Sequence, residues 1–182
     1  MERRHRRGPR YRLLLIDLER IQVFMSLYAW FMALAHSPLG RVMQTSRWGF
    51  AVVEMVHLLA MAVLGGSVLI VDLRLLGVIL KGESARTLGR DLSRLLAASL
   101  LAMVLSGVAL LSEEAGKCYF SPAFRWKMAL LAAAIVFYFT LHRTALRRAD
   151  KGTPALWPRI AAVVSLLLWL GVGVAGRAIG LL

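Results

Sequence analysis

Four long runs of apolar residues dominate the chain, and each is close to the length that a helix needs to cross a membrane. The predicted spans are about 49–73, 92–112, 125–142 and 159–181. About 20 apolar residues in a helix cross the roughly 30 Å hydrocarbon core of a bilayer. Few strand patterns compete with this interpretation. The pattern predicts an all-α integral membrane protein built as a four-helix bundle.

A fifth, partly apolar segment, 13–36, precedes these spans and carries three charges near its start. Its uninterrupted part, 21–35, is short for a transmembrane helix. We expect an additional N-terminal helix, amphipathic or short and hydrophobic, at the membrane interface. A spanning helix and a signal peptide cleaved after Ala33-Leu34-Ala35 are the alternatives. Residues 1–24 form a basic N-terminal extension, and residues 25–182 form the membrane domain.

Composition supports the membrane interpretation. The chain is 59% hydrophobic, with a mean hydropathy of +0.66, whereas soluble domains are about 45–50% apolar. Its formal net charge is +13, from 23 Lys and Arg against 10 Asp and Glu. Such an excess in a soluble protein would suggest nucleic acid. Because these basic residues lie mainly in the tail and loops, we expect the lipid bilayer and its anionic lipids as partners, and no nucleic acid.

The loops also predict an orientation. Two loops, 74–94 and 143–159, each carry five Lys or Arg residues. The connections on the opposite side carry fewer, beside Glu113 and Glu114. The positive-inside rule therefore predicts that the two basic loops are cytoplasmic.

Three ionisable residues, Glu54, His57 and Arg177, fall inside predicted spans. Each costs roughly 2.5–3.5 kcal/mol to insert. The i,i+3 spacing puts Glu54 and His57 on one helix face, and Arg177 could hold Glu54 ionised. All three fall in the half of the bundle away from the basic loops, whereas His142 and Asp72 fall at the cytoplasmic rim. A polar functional site and an ion pair that specifies helix packing are the two interpretations.

Haem b is one candidate cofactor, because a haem within a helix bundle takes axial histidines that face each other. His57 and His142 are the histidines of the four-span core, at depths that differ by about 10 Å. Glu54 and Arg177 would pair with the haem propionates or support His57. The predicted cofactor-binding residues are therefore His57, Glu54, Arg177 and His142.

Copper is the other candidate. Met55, His57 and Met61 cluster in the first span, and thioether with imidazole suits Cu(I). Methionine is also a common filler of apolar cores. A di-iron site is a weak alternative, because it would need a second Glu-x-x-His motif and two further glutamates. The sequence contains no Walker loop, dinucleotide-binding fingerprint, Ser/Cys nucleophile elbow or HExxH motif, which are motifs of soluble enzymes.

Several short blocks carry a family resemblance. They include Asp72-Leu73-Arg74-Leu75-Leu76-Gly77, Phe124-Arg125-Trp126-Lys127, the Glu54/His57 segment and Gly176-Arg177. From about Met25 onward the chain resembles an uncharacterised family of small bacterial four-helix integral membrane proteins, a domain of unknown function. More distantly, it is similar to b561-type cytochromes and copper-resistance membrane proteins. That resemblance implies redox or copper handling at the bacterial inner membrane.

Together these observations favour a multi-pass inner-membrane protein in haem- or metal-associated electron transfer, with a polar site on the periplasmic side. One alternative is a non-catalytic membrane subunit of a larger complex, and another is a small transporter with a Glu/His proton relay. A homo-oligomer or a membrane-complex partner is expected in each case.

Overall fold

Helices make up nearly all of the described chain in a computed structural model. The structure describes residues 9–80, 82–149 and 156–180, with side chains from residue 22 onward. No strand occurs within these residues, so the all-α prediction is confirmed. The elements in chain order are α1 (Pro9–Ala35), α2 (Pro38–Thr45), α3 (Arg47–Leu76), α4 (Ala85–Glu113), α5 (Ala115–Phe120), α6 (Pro122–Phe137), a π-helical turn (Tyr138–His142), α7 (Arg143–Ala149) and α8 (Leu156–Ile179).

Four helical segments are long and apolar enough to cross a membrane. They are α3, α4, the continuous segment Pro122–Ala149 that joins α6 to α7 through the π-helical turn, and α8. Each of the four predicted spans falls on one of them, although residue 181 lies outside the described part of the chain. The prediction of a multi-pass membrane bundle is confirmed.

The four segments alternate in direction and pack around two clusters of buried apolar side chains. α3 contacts α4 and α8, α6 contacts α8, and α7 contacts α4. One cluster comprises Ala60, Leu64, Val68, Leu96 and Met103. The second, nearer the end of α3, comprises Val71, Leu75, Ala85, Leu146 and Ala162. Large apolar side chains such as Leu105 and Leu167 cover the outside of the bundle, as lipid contact requires.

The two ends of the bundle differ. The capped end holds the short helices α2 and α5, and there the Gln44 amide donates to the carbonyls of Ala35 (3.3 Å), Ser112 (3.3 Å) and Glu113 (3.4 Å). We call the opposite end, where α3 and α7 finish, the basic end. Among its described arginines are Arg74, Arg86, Arg90, Arg94, Arg143, Arg147, Arg148 and Arg159.

The additional N-terminal helix is confirmed as α1, which contacts α2, α4 and α5 at the capped end. The Tyr119 ring lies 4.9 Å from Phe24, 5.3 Å from Tyr28 and 5.3 Å from Phe31, and its hydroxyl donates to the Phe24 carbonyl at 2.8 Å. The apolar part, Gln22–Ala35, is shorter than a span. Apolar residues occupy nearly every position of this part, which favours the short hydrophobic alternative. Residues 1–8 of the basic extension lie outside the described residues.

Local signals in the sequence fix where the helices begin and end. A serine side chain accepts the backbone N–H three residues ahead at the start of α2, α3, α4 and α6. Such caps satisfy helix-terminal donors that have no partner within the helix. Gly77 then ends α3 in the left-handed conformation, with φ of +77°, which glycine adopts without steric cost.

Candidate functional site

A buried pair of ionisable residues joins two membrane-spanning segments near the basic end. Nε2 of His142 lies 2.7 Å from Oδ1 of Asp72. Asp72 is 0% exposed and His142 is 1% exposed. Asp72 lies four residues before the end of α3, which is about 6 Å along the helix axis, so the pair is inside the bundle. A carboxylate accepts the N–H of the imidazole in this arrangement.

The π-helical turn Tyr138–His142 places the histidine. A π-helical turn contains more residues than an α-helical turn, and so it changes which side chains face the core. Such turns are frequent at functional sites. The Thr140 hydroxyl donates to the Val136 carbonyl at 2.6 Å within this segment, a contact that bends helices. The His142 ring stacks on Tyr138, with centroids 5.4 Å apart and 25° between planes. The ring is therefore held on two sides.

Two polar atoms of the pair have no hydrogen-bond partner within the described residues. They are Oδ2 of Asp72 and Nδ1 of His142. The buried hydroxyl of Ser165 on α8 lies beside Asp72 but outside hydrogen-bonding geometry with Oδ2. Within the described residues, the arrangement therefore uses one of the two polar atoms of each side chain. It leaves one atom on each partner free to take or release a proton.

A second polar site lies toward the capped end. Nδ1 of His57 is 2.8 Å from the Ser106 hydroxyl, which itself donates to the Ala102 carbonyl at 2.6 Å. Because a hydroxyl has one hydrogen, Ser106 accepts from His57, and Nε2 is then the unprotonated atom of the neutral ring. Gly107 lies next to the imidazole, because a methyl group there would be in van der Waals contact with Cε1 of His57 at 3.4 Å.

Lys127 belongs to the same region. Its half-buried side chain interacts electrostatically with His57. It also packs against Gly176, where an added methyl group would lie 3.5 Å from Cε and 3.6 Å from Nζ. The cation that acts electrostatically on His57 is thus a lysine, which the sequence analysis did not select.

The structure does not assemble the predicted Glu54, His57 and Arg177 site. Glu54 and Arg177 are both exposed on the outside of the bundle, and neither forms an ion pair within the described residues. Both lie near the capped end, where a long charged side chain can reach the headgroup region. Residues spaced i,i+3 differ by about 60° around a helix, which lets His57 face α4 while Glu54 faces outward.

His57 and His142 do not share one site. Asp72 contacts His142 and lies fifteen residues beyond His57 on α3, about 22 Å along the axis. This corrects the predicted depth difference of about 10 Å. A single haem iron held between these two histidines does not fit that separation.

The predicted metal ligands around His57 also point in different directions. Met55 is 62% exposed and Met61 is 42% exposed, both on the outside of the bundle, whereas His57 is half-buried against α4. Across the part of the chain that the structure describes, no group of three or more His, Cys, Asp or Glu side chains could hold a metal ion. The haem and copper assignments stay predictions.

Asp72 is the functional candidate that the sequence analysis placed at the rim but did not select. Two signals were available: it follows the apolar run SVLIV, and it begins the DLRLLG block. Its partner is seventy residues away, so neither signal reveals the pair.

Comparison with known proteins gives one match. The model of a family described as "Family of unknown function (DUF6644)" matches residues 30–182. No curated protein matches the chain, and no solved structure matches it.

Proposed function

The chain belongs to this family of unknown function, and we propose that it is a multi-pass membrane protein that translocates protons through the Asp72–His142 pair. The observation that carries the proposal is the burial of both side chains within a membrane bundle, with one unpartnered polar atom on each. Ionisable residues inside membrane spans are functional candidates by default, and carboxylate–histidine chains serve as proton relays.

The pair can hold one more proton without separating. With Asp72 ionised and His142 neutral, Nε2 donates to Oδ1 and the pair carries one negative charge. A proton that binds Nδ1 makes an imidazolium beside a carboxylate, and the pair becomes neutral overall. Proton binding therefore removes a net buried charge, which is favourable in a medium of low dielectric constant.

Access to the pair is expected from the basic end. Tyr138, which stacks on His142, also lines two cavities on the α4 side of this end. One aromatic ring thus separates the imidazole from cavity space. In the half of the bundle toward the capped end, His57 and Lys127 supply titratable groups, and the buried hydroxyls of Ser67 and Ser99 lie between the two regions.

We place the protein in a bacterial inner membrane, with the basic end cytoplasmic. The support is the excess of Lys and Arg in the two loops of that end, since such loops are retained on the cytoplasmic side. Protons would then enter or leave the Asp72–His142 pair on the cytoplasmic side.

The proposal is tested by proton flux into liposomes that contain the purified full-length protein. A potassium diffusion potential drives the flux, and an enclosed pH-sensitive dye reports it. We expect flux in the wild type and its loss in Asp72→Asn and in His142→Gln. Glu54→Gln, which removes an exposed carboxylate on the same helix, is the matched control and should retain the flux. A proton flux in wild-type vesicles no greater than in protein-free vesicles would contradict the proposal. A flux in Asp72→Asn equal to that of the wild type would also contradict it.

A second candidate is the predicted electron-transfer function with haem or a metal. One observation favours it. Nε2 of His142 donates a hydrogen bond to a carboxylate, and Nδ1 has no partner among the described residues. Metal-ligating histidines commonly show that arrangement. His57 with Nε2 unprotonated is the other ligand candidate.

An absorption spectrum and elemental analysis of the purified protein distinguish the two functions. Electron transfer predicts a reducible haem band, or bound copper, that is lost in His142→Gln or His57→Gln. A protein with neither haem nor copper, yet with proton flux that depends on Asp72, would leave proton translocation as the function.

A further inference from the structure

Two adjoining cavities form a groove between α4 and the segment that joins α6 to α7. One has a volume of about 320 Å³ and the other about 620 Å³. They share the lining residues Ser93, Tyr138 and Arg143. We call this feature the α4–α7 groove. It runs from the membrane-spanning part of the bundle to the basic end.

The smaller cavity is mostly apolar. Leu96, Leu100, Ile135 and Trp169 are among its lining residues. It extends along α4 from Ser93 to Leu100, about 10 Å along the helix axis. Because these side chains are apolar and belong to membrane-spanning segments, the natural contact of the cavity is hydrocarbon.

The larger cavity is basic. Arginines at i,i+4 spacing line the groove from both helices: Arg86, Arg90 and Arg94 on α4, and Arg143 and Arg147 on α7. Asp91 is the acidic residue in the two linings. Guanidinium groups bind phosphate oxygens through paired hydrogen bonds. Among the described residues, four arginines and one aspartate line the larger cavity, which gives this part of the groove the charge that an anionic headgroup would neutralise.

Arg143 lies where the two environments meet. It lines both cavities, and its guanidinium carbon is 5.8 Å from the centre of the Phe139 ring. A cation stacked on an aromatic ring keeps its in-plane N–H groups available. The anionic headgroup of an amphiphile could therefore bind Arg143 at the point where the apolar chains of the amphiphile begin.

We propose that the α4–α7 groove binds one anionic phospholipid, with the phosphate among the arginines and part of an acyl chain in the apolar cavity. Charge complementarity and the continuity of the apolar and basic cavities identify this occupant. Basic pockets between transmembrane helices are known to hold anionic lipid headgroups. Lipid binding in the groove is a property separate from proton translocation and does not depend on it.

Native mass spectrometry of the full-length protein in detergent tests this directly. Phosphatidylglycerol and phosphatidylcholine are titrated separately, and the retained lipid is counted. We expect one phosphatidylglycerol per chain, bound about tenfold or more tightly than phosphatidylcholine. Arg90→Gln combined with Arg143→Gln should remove that preference. The matched control, Arg41→Gln with Arg125→Gln, removes two exposed arginines near the capped end and should keep it.

A second pair of variants tests whether an acyl chain occupies the apolar cavity, and neither variant changes the charge of the protein. Both alanines are exposed, but Ala97 lines the apolar cavity and Ala98 does not line either cavity. Ala97→Trp should reduce phosphatidylglycerol retention about tenfold or more, while Ala98→Trp should leave it unchanged. Circular dichroism confirms that each variant retains its helices.

Three results would overturn the proposal. Equal retention of the two lipids would remove the headgroup preference. Displacement of phosphatidylglycerol by millimolar inorganic phosphate, with Ala97→Trp having no effect, would identify a site for a soluble anion. A loss of binding in the Arg41→Gln and Arg125→Gln control as large as that in the groove variant would identify a general effect of net charge.

Discussion

Asp72 and His142, seventy residues apart in the sequence, meet at 2.7 Å inside the bundle. The contact joins α3 to the segment that follows α6, and each side chain is fully buried. Val71 and Leu75 of α3 also pack in one apolar cluster with Leu146 of α7. Truncation of one partner therefore leaves the other buried without the hydrogen bond that the pair makes.

Asp72→Ala and His142→Ala should each lower the free energy of unfolding by roughly 3–5 kcal/mol, because each leaves an uncompensated polar group in the interior. The double variant should lose less than the sum of the two. A double-mutant cycle, measured by unfolding in detergent, gives the coupling. Glu54→Ala serves as an exposed control with little effect. Additive losses would contradict a direct interaction.

Gly40→Ala should destabilise the capped end. A methyl group at Gly40 would lie 2.2 Å from the Ala35 carbonyl oxygen and 2.8 Å from that of Leu34, so α2 would have to move away from the end of α1. Gly66→Ala is the matched control, because its added methyl group meets nothing within 4 Å and alanine favours a helix by about 1 kcal/mol. We expect a lower thermal unfolding midpoint for Gly40→Ala only. Equal midpoints would show that α2 is not packed this closely.

Cys118 should react slowly with maleimide. Burial, followed by the negative charge of Glu114, raises the pKa of its thiol, and the thiolate is the reactive form. At pH 7 the thiolate fraction is therefore smaller than for an exposed cysteine, and labelling should keep accelerating at a pH where an exposed thiol is already ionised. Lys117→Cys in a Cys118→Ala background supplies that exposed comparison. Equal labelling rates at pH 7 would contradict the burial.

The sequence predicts the bundle well because long apolar segments have few alternatives in a membrane. Residues 51–71 and 92–112 could only be spans, and both fall within observed helices. Serines before the helices mark their starts, as Ser46 and Ser121 do. These signals are local, so one sequence is enough to detect them.

The pairing of polar residues is not local, and there the sequence predicts less. Depth along a helix follows from counting residues, but the direction of a side chain depends on which neighbours surround the helix. Glu54 and His57 are close in depth, yet one faces outward and the other faces Ser106. Asp72 and His142 were assigned to the same rim but not to each other, since the π-helical turn that aligns His142 has no recognised pattern.

The most direct test of the central claim is the protonation state of His142 itself. Nitrogen-15 NMR of histidine-labelled protein in lipid, compared with His142→Gln to assign the signals, distinguishes a neutral ring with Nδ1 unprotonated from an imidazolium. We predict that wild-type His142 carries a proton on Nε2 that is hydrogen-bonded to Asp72, and that Asp72→Asn shifts this Nε2 signal, while Glu54→Gln leaves it unchanged. An Nε2 signal of His142 that is the same in the wild type and in Asp72→Asn would contradict the Asp72–His142 pair as a proton-binding centre.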